Sequence, residues 1–363
     1  MFNWIPLDFY SKLYYLVLLV FVIGAYSSAS STPLGSEHKF HSFKTYGKIL
    51  LLFVLLYMGL RPISGAYFGD MRTYAMTFDH YYNGGSITSH KDYLFHYFTF
   101  MAAQIMTVDA YFFVCACLYV IPLWIVSNKW FGPRSYYAFL LLLGSFSFWT
   151  FGTNGIRNGI ASSLFLLAIS RDRRVWTIVI LLIAINVHKS MLMPIGGYVL
   201  AHFYAKPKAF LFFWILSIPL SLLAGGAFQV LLASFVEDDR ASYLTGGNVN
   251  NDNFSSTGFR WDFLIYSATA VFMGYYYIFK RNYKDKIYST LYCTYLMTNA
   301  LWILVIKANF SNRFAFLSWF MMALVIVYPI LKRKLIGGQN RLLAYIILAY
   351  FAFTFFMNFI LVL

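Results

Sequence analysis

The sequence predicts an all-α, polytopic integral membrane bundle of about twelve transmembrane helices, and three observations predict it. Only 11% of the 363 residues are charged, against roughly 25% in a soluble domain, while 60% are hydrophobic and mean hydropathy is +0.64. Apolar runs near the ~20 residues that cross hydrocarbon recur along the whole chain. The basic residues collect in the short segments between those runs. No segment is long and polar enough to stand apart as a soluble domain, so residues 1–363 read as one transmembrane domain.

Taken in order, the runs fall at 12–29, 47–64, 108–127, 134–151, 154–170, 174–188, 190–204, 209–228, 260–279, 287–306, 312–330 and 341–361. The first has no basic segment ahead of it, so it reads as a span and not as a cleaved leader. Segment 92–107, DYLFHYFTFMAAQIMT, is apolar but follows a polar stretch, and it reads as an interfacial or re-entrant helix.

The net charge of +15 does not indicate nucleic acid, because no basic module interleaved with aromatics is present. The positive connections hold Lys39, Lys44 and Lys48; Lys129 and Arg134; Arg171, Arg173 and Arg174; Lys206 and Lys208; Lys280, Arg281, Lys284 and Lys286; and Lys332, Arg333, Lys334 and Arg341. Positive connections stay cytoplasmic, which puts both termini outside. The two long outside loops are 61–107, rich in tyrosine, and 229–259, rich in Gly, Asn and Ser; loops of that length are usually either functional or disordered. The three cysteines, Cys115, Cys117 and Cys293, lie in apolar runs as small buried hydrophobes. Glu237, Asp238 and Asp239 offer carboxylates to a divalent cation, but such a run is more often a solvated loop end, and no metal or cofactor is expected.

On this topology five polar clusters fall on the outer side: Asp70 and Arg72; Arg157 and Asn158; His188 and Lys189; Arg260 and Asp262; Asn312 and Arg313. An arginine at mid-bilayer costs at least ~2.5–3.5 kcal/mol, so it is paired, lines a wet cavity or serves function. Arg157 sits in TNGIRNGIASS, where a helix start would point N–H groups outward as phosphate-binding helices do. Its competing reading is an arginine snorkelling to the interface. His188 interrupts a tight helical hairpin; it titrates near neutrality and suits proton removal from a hydroxyl, or else caps carbonyls. Arg260 and Arg313 begin spans, on the unfavourable side of the helix dipole, and each needs an anion or a carboxylate such as Asp70 or Asp262. Asp262 has the opposite preference, and capping explains it equally well. Guanidinium forks bind phosphate oxygens bidentately, so an outward cationic cavity for a diphosphate is the economical reading. Asp70, beside Tyr67, Tyr74, Tyr81 and Tyr82, suits a sugar, although an interfacial belt explains the tyrosines alone.

At these residues the chain resembles the EpsG-like and Wzy-type polysaccharide polymerases of exopolysaccharide, capsule and O-antigen pathways. The resemblance rests on GDMRTYAMTF, on GIRNGIASSLFLLAIS followed by VHKSMLMPI, on FRWDFLIY and on NRFAFLSWF, over roughly residues 50–330. Its most specific part is Arg157-x-x-Ile160-Ala161 followed by His188-x-Ser190; the family usually has glutamine where this chain has Asn158. The resemblance implies a metal-independent glycosyltransferase of GT-C type in the bacterial cytoplasmic membrane, working at its periplasmic face. Donor and acceptor would be oligosaccharide repeat units on undecaprenyl diphosphate, with membrane lipid around the protein and a chain-length regulator as a candidate partner. His188 is expected as the base, with Asp70 as the alternative, and Arg157 as the group that stabilises the leaving diphosphate. Arg72, Arg260, Asp262, Asn312, Arg313, Lys189 and Asn158 are expected to bind diphosphate or sugar. An O-antigen ligase-like transferase or a non-enzymatic lipid-linked oligosaccharide flippase are the competing readings. The ligase shares the donor but not the acceptor, and a flippase needs charges that reach both faces.

Overall fold

The computed structural model describes the chain except residues 1, 3, 32–36, 90, 236–257, 309–310 and 362–363, and of residues 37–43 and 232–235 it describes the backbone only. Most of the 229–259 loop, including Glu237, Asp238, Asp239, Arg240 and Asp252, therefore lies outside the described residues. The described residues are all-helical, with no strand among them. Five helical stretches are long and apolar enough to cross a membrane: Leu7–Ser31, Val108–Leu143, Pro207–Leu231, Asn312–Lys332 and Gln339–Ile360. They mark a multi-pass membrane protein.

Several expected runs break into shorter pieces. The 134–151 run becomes Ser135–Leu143 and Phe148–Thr153, parted at Gly144-Ser145-Phe146-Ser147, where glycine and serines favour a turn. The 154–170 and 174–188 runs become Ile156–Ile169 and Arg174–Val187, each 14 residues. A helix of that length rises about 21 Å, short of the ~30 Å hydrocarbon core. Its polar ends must then be satisfied by protein.

The 61–107 segment holds more helix than the one expected over 92–107: Gly65–Phe68 and Met71–Tyr82 are helical as well. Met71–Tyr82 buries Met71, Tyr74, Ala75, Phe78 and Tyr81 at the three- and four-residue spacing of one helix face. The expected interfacial helix forms over Tyr93–Ile105, and its 13 residues are too few to span.

The chain divides into two compact units, Met1–Met191 with Ile330–Leu363, and Leu192–Pro329. In the first, Leu7–Ser31 packs on Gln339–Phe355, Val108–Phe131 packs on both Glu37–Gly59 and Ile156–Ile169, and Tyr93–Ile105 packs on Met71–Tyr82 and Arg174–Val187. In the second, Lys286–Leu304 is central, packed on Leu192–Phe203, Pro207–Phe235, Trp261–Tyr275 and Asn312–Trp319.

Tyrosines supply much of the internal polarity. Tyr10 and Tyr57 each donate a hydroxyl to the other's carbonyl, at 2.7 and 2.8 Å. In the second unit Tyr288, Tyr292 and Tyr295 donate to the carbonyls of Val325, Val271 and Ser267. A buried hydroxyl without a partner is costly, so these rings carry their polar ends to backbone oxygens that helices leave accessible.

Candidate functional site

The site is built around a residue that the sequence reading did not single out. Asp92 precedes helix Tyr93–Ile105, where an aspartate ordinarily accepts from the first amides of the helix. Here its side chain makes no such cap, and its backbone is left-handed, with φ of 50°. Among the described residues only Asn282 shares that conformation without being glycine. Aspartate tolerates the left-handed region better than most residues, and such positions gather where geometry serves a site. The turn aims the carboxylate inward, where Asp92 is 5% exposed.

Three groups meet it there. The Arg157 guanidinium donates from Nη1 to Oδ2 at 2.7 Å, His188 Nδ1 stands 2.7 Å from the same oxygen, and the Lys189 amide donates to Oδ1 at 2.9 Å. An ionised carboxylate only accepts, so the proton of this contact lies on His188 Nδ1. Burial acts to push the Asp92 carboxyl up. The hydrogen bond and charge of His188, the charge of Arg157 and the Lys189 amide outweigh it and hold the carboxyl below its ordinary range.

Short local structures deliver each partner. Helix Ile156–Ile169 begins after Gly155, so Arg157 stands in its first turn, its side chain 32% exposed and the guanidinium 5.8 Å from the centre of the Tyr74 ring. Helix Arg174–Val187 stops at His188, whose extended backbone turns the ring back toward Asp92. His188 is 2% exposed. The following turn, Lys189–Met191, brings the Ser190 hydroxyl to Asn158 Oδ1 at 2.8 Å. The two motifs Arg157-Asn158 and His188-Lys189-Ser190 are thus joined twice, once through Asp92 and once directly.

Asp70 and Arg72 are exposed beside this cluster. The Asp70 amide donates to Asn154 Oδ1 at 2.8 Å, tying the start of helix Met71–Tyr82 to the turn that precedes Arg157. Gly69 makes that approach possible: its φ is +54°, and a Cβ there would lie 2.5 Å from Asn154 Oδ1. The Asp70 carboxylate makes no cap hydrogen bond to its helix, and the carboxylate that Arg157 meets is Asp92. His96, one turn beyond Asp92, was also missed. Its Nδ1 is 2.9 Å from the Tyr81 hydroxyl. Burial, then the charge of Arg157, lowers its pKa, against the opposing pull of Asp92.

The remaining expected residues belong to the second unit. Arg260 precedes helix Trp261–Tyr275 and binds Asp262 bidentately, Nε to Oδ1 at 2.9 Å and Nη2 to Oδ2 at 2.6 Å, with its guanidinium 3.7 Å from the Phe263 ring centre. The carboxylate that Arg260 was expected to need is therefore its neighbour. Asn312 and Arg313 open helix Asn312–Trp319, both half-buried. Among the described residues no group of three or more His, Cys, Asp or Glu side chains is placed to hold a metal ion.

A multi-pass helical membrane protein with a buried carboxylate joining an arginine to a histidine is the class these features define. The chain belongs to the EpsG family, whose model matches residues 44–363, a family linked to exopolysaccharide biosynthesis. The match begins inside helix Glu37–Gly59 and runs through the last helix, wider than the 50–330 span of the sequence resemblance. Neither a curated protein nor a solved structure matches the chain.

Proposed function

We propose that this protein is a metal-independent, GT-C-like glycosyltransferase that polymerises undecaprenyl-diphosphate-linked repeat units at the outer face of the bacterial cytoplasmic membrane. The observation that carries the reading is the Asp92 carboxylate, which holds Arg157 and His188 on one oxygen. A histidine oriented through Nδ1 by a carboxylate has its basic lone pair on Nε2, and the carboxylate stabilises the imidazolium that forms. Arg157 carries a planar, permanently charged guanidinium at a partly exposed edge, its side chain 32% exposed.

In the proposed reaction, the bond between the polymer's anomeric carbon and the diphosphate oxygen breaks. The electron pair leaves with undecaprenyl diphosphate. A new glycosidic bond forms from that carbon to a hydroxyl of the incoming repeat unit, and the hydroxyl proton passes to His188 Nε2. Charge grows on the departing diphosphate oxygen, and Arg157, pre-oriented by Asp92, stabilises it. Diphosphate leaves readily, so no acid is required. Arg260, Asp262, Asn312 and Arg313 are proposed as phosphate- or sugar-binding residues of the second unit, and Arg72, Lys189 and Asn158 as those of the first. A chain-length regulator remains a proposed partner.

A second choice of base has an observation of its own. His188 is 2% exposed, whereas the Asp70 carboxylate is exposed and reaches the Arg157 turn through its backbone. Asp70 becomes the base if the acceptor hydroxyl does not reach His188 Nε2.

The test is purified protein in lipid with lipid-linked repeat units, the products separated by size. A ladder of lengthening glycan supports polymerisation. Unchanged repeat units, or transfer only to a lipid A-core acceptor, reject it.

A further inference from the structure

Arg61, 2% exposed, is the most buried arginine or lysine among the described residues. It follows helix Glu37–Gly59, and among the described residues no carboxylate pairs with it. Nη1 donates to the Met58 carbonyl, Nη2 donates to the Thr153 carbonyl at 3.3 Å, and Nε is buried with no partner among the described residues. The guanidinium lies between two rings, 5.8 Å from the centre of Phe68 and 5.5 Å from that of Phe112. It is too covered to receive a ligand. A buried cation with an unmet N–H is also a poor device for stability, since desolvation offsets what its bonds return.

What Arg61 does is join two helix ends. Met58 is in the last turn of Glu37–Gly59 and Thr153 ends Phe148–Thr153, so both carbonyls belong to the negative ends of helix dipoles, where a cation is favourable. Thr153 is followed by Asn154 and Gly155, the turn that launches Arg157. That turn is also held by the Asp70 amide, which donates to Asn154 Oδ1. A further contact fixes the helix behind it: a Cβ on Gly159 would lie 2.8 Å from the Phe151 carbonyl oxygen.

We infer that Arg61 is a positioning residue, which sets the angle at which helix Ile156–Ile169 presents Arg157 to Asp92. Lysine cannot replace it, because a single ammonium does not reproduce a planar fork spanning two carbonyls.

Two measurements test this, and only the second rests on the polymerase reading. The first is a thermal-unfolding cycle in lipid nanodiscs with Arg61→Gln, Asp92→Asn and the double variant. Positioning predicts that the double variant loses less Tm than the two single losses summed, because either change already uncouples Arg157. Losses that simply add, as for independent sites, overturn the inference. The second measures polymer synthesis by Arg61→Gln and Arg61→Lys at matched protein level. We expect kcat to fall on the order of tenfold to a hundredfold with KM changed less than about twofold. Unchanged kcat in either variant overturns the inference. If Arg61→Gln does not accumulate, Arg61→Lys takes its place in both arms under the same criteria. Should the natural protein yield no polymer, the functional reading fails while the unfolding cycle still decides on Arg61.

Discussion

Arg157 and His188 lean on the same oxygen: each has a side-chain nitrogen 2.7 Å from Oδ2 of Asp92. Two donors on one acceptor fix their separation more tightly than two independent pairs would. Removing the acceptor therefore acts on both. Asp92→Asn keeps the shape of the side chain but removes the charge, leaving a buried ring and a half-buried cation facing a neutral amide. The expected outcome is a loss of about 1–3 kcal/mol of stability, together with loss of polymer. Thermal unfolding in nanodiscs measures the first, and an unchanged Tm with normal polymer would remove Asp92 from the site.

The Asp92 carboxyl is held below its ordinary range, so its protonation state should govern stability in acid. A depressed carboxyl contributes stability that is present above the unfolded pKa of 3.8 and is lost as pH falls through the lower folded value. The Tm gap between the natural protein and Asp92→Asn should thus stay constant from neutral pH down to about pH 5 and close below the ordinary carboxylate range. A gap that already closes near neutrality would contradict the depressed carboxyl.

Much of the helical layout is legible in the sequence, and the reason is hydrocarbon. Runs such as 108–127 and 209–228 sit inside helices Val108–Phe131 and Pro207–Phe235 because apolar length alone decides them. Arg157 and His188 are legible as well, since a charge in such a run has to be explained. Asp92 was hidden because aspartate before an apolar helix ordinarily means a cap. Nothing local announces a left-handed backbone that turns the carboxylate away. Arg61 was hidden for another reason: it falls where the 47–64 run meets the 61–107 loop, and a cation at the end of an apolar run is ordinary. Met71–Tyr82 was overlooked because its buried face is written in tyrosine, methionine and alanine among polar residues, a weaker contrast than a lipid-facing run offers.

Arg157→Lys keeps the charge and the helix but replaces a fork by a point. One ammonium cannot hold Asp92 Oδ2 in the geometry of Nη1 and also offer a second parallel donor to a phosphate oxygen. We expect polymer synthesis to fall about a hundredfold, while Tm changes less than in Asp92→Asn. Normal-length polymer from Arg157→Lys, or from Arg157→Ala, at matched protein level would exclude a role in stabilising the leaving diphosphate.

Ser190 and Asn158 supply the second link between the two motifs, through a hydrogen bond of 2.8 Å. Ser190→Ala should cost about 0.5–1.5 kcal/mol and loosen the turn that carries the Lys189 amide. Asn158→Gln keeps a carbonyl acceptor and should retain more polymer synthesis than Asn158→Leu, which has none. Equal activity of the two Asn158 variants would show that this bond does not matter to the site.

The choice between His188 and Asp70 as base can be made from pH–rate profiles. A neutral imidazole is the active form of a histidine base, so with His188 in that role the rate rises with pH as the ring gives up its proton. His188→Ala should remove that limb along with most of the rate, by about 10²–10⁴-fold. Asp70→Asn should leave the limb in place and change chiefly KM, as expected of a residue that meets sugar. The opposite pattern assigns the base to Asp70: a rising limb that disappears in Asp70→Asn, with His188→Ala keeping its pH dependence. The buried His188–Asp92 pair would then serve to hold Arg157 in place, and the loss in His188→Ala should be matched by a comparable loss in Asp92→Asn, with no change in the shape of either profile.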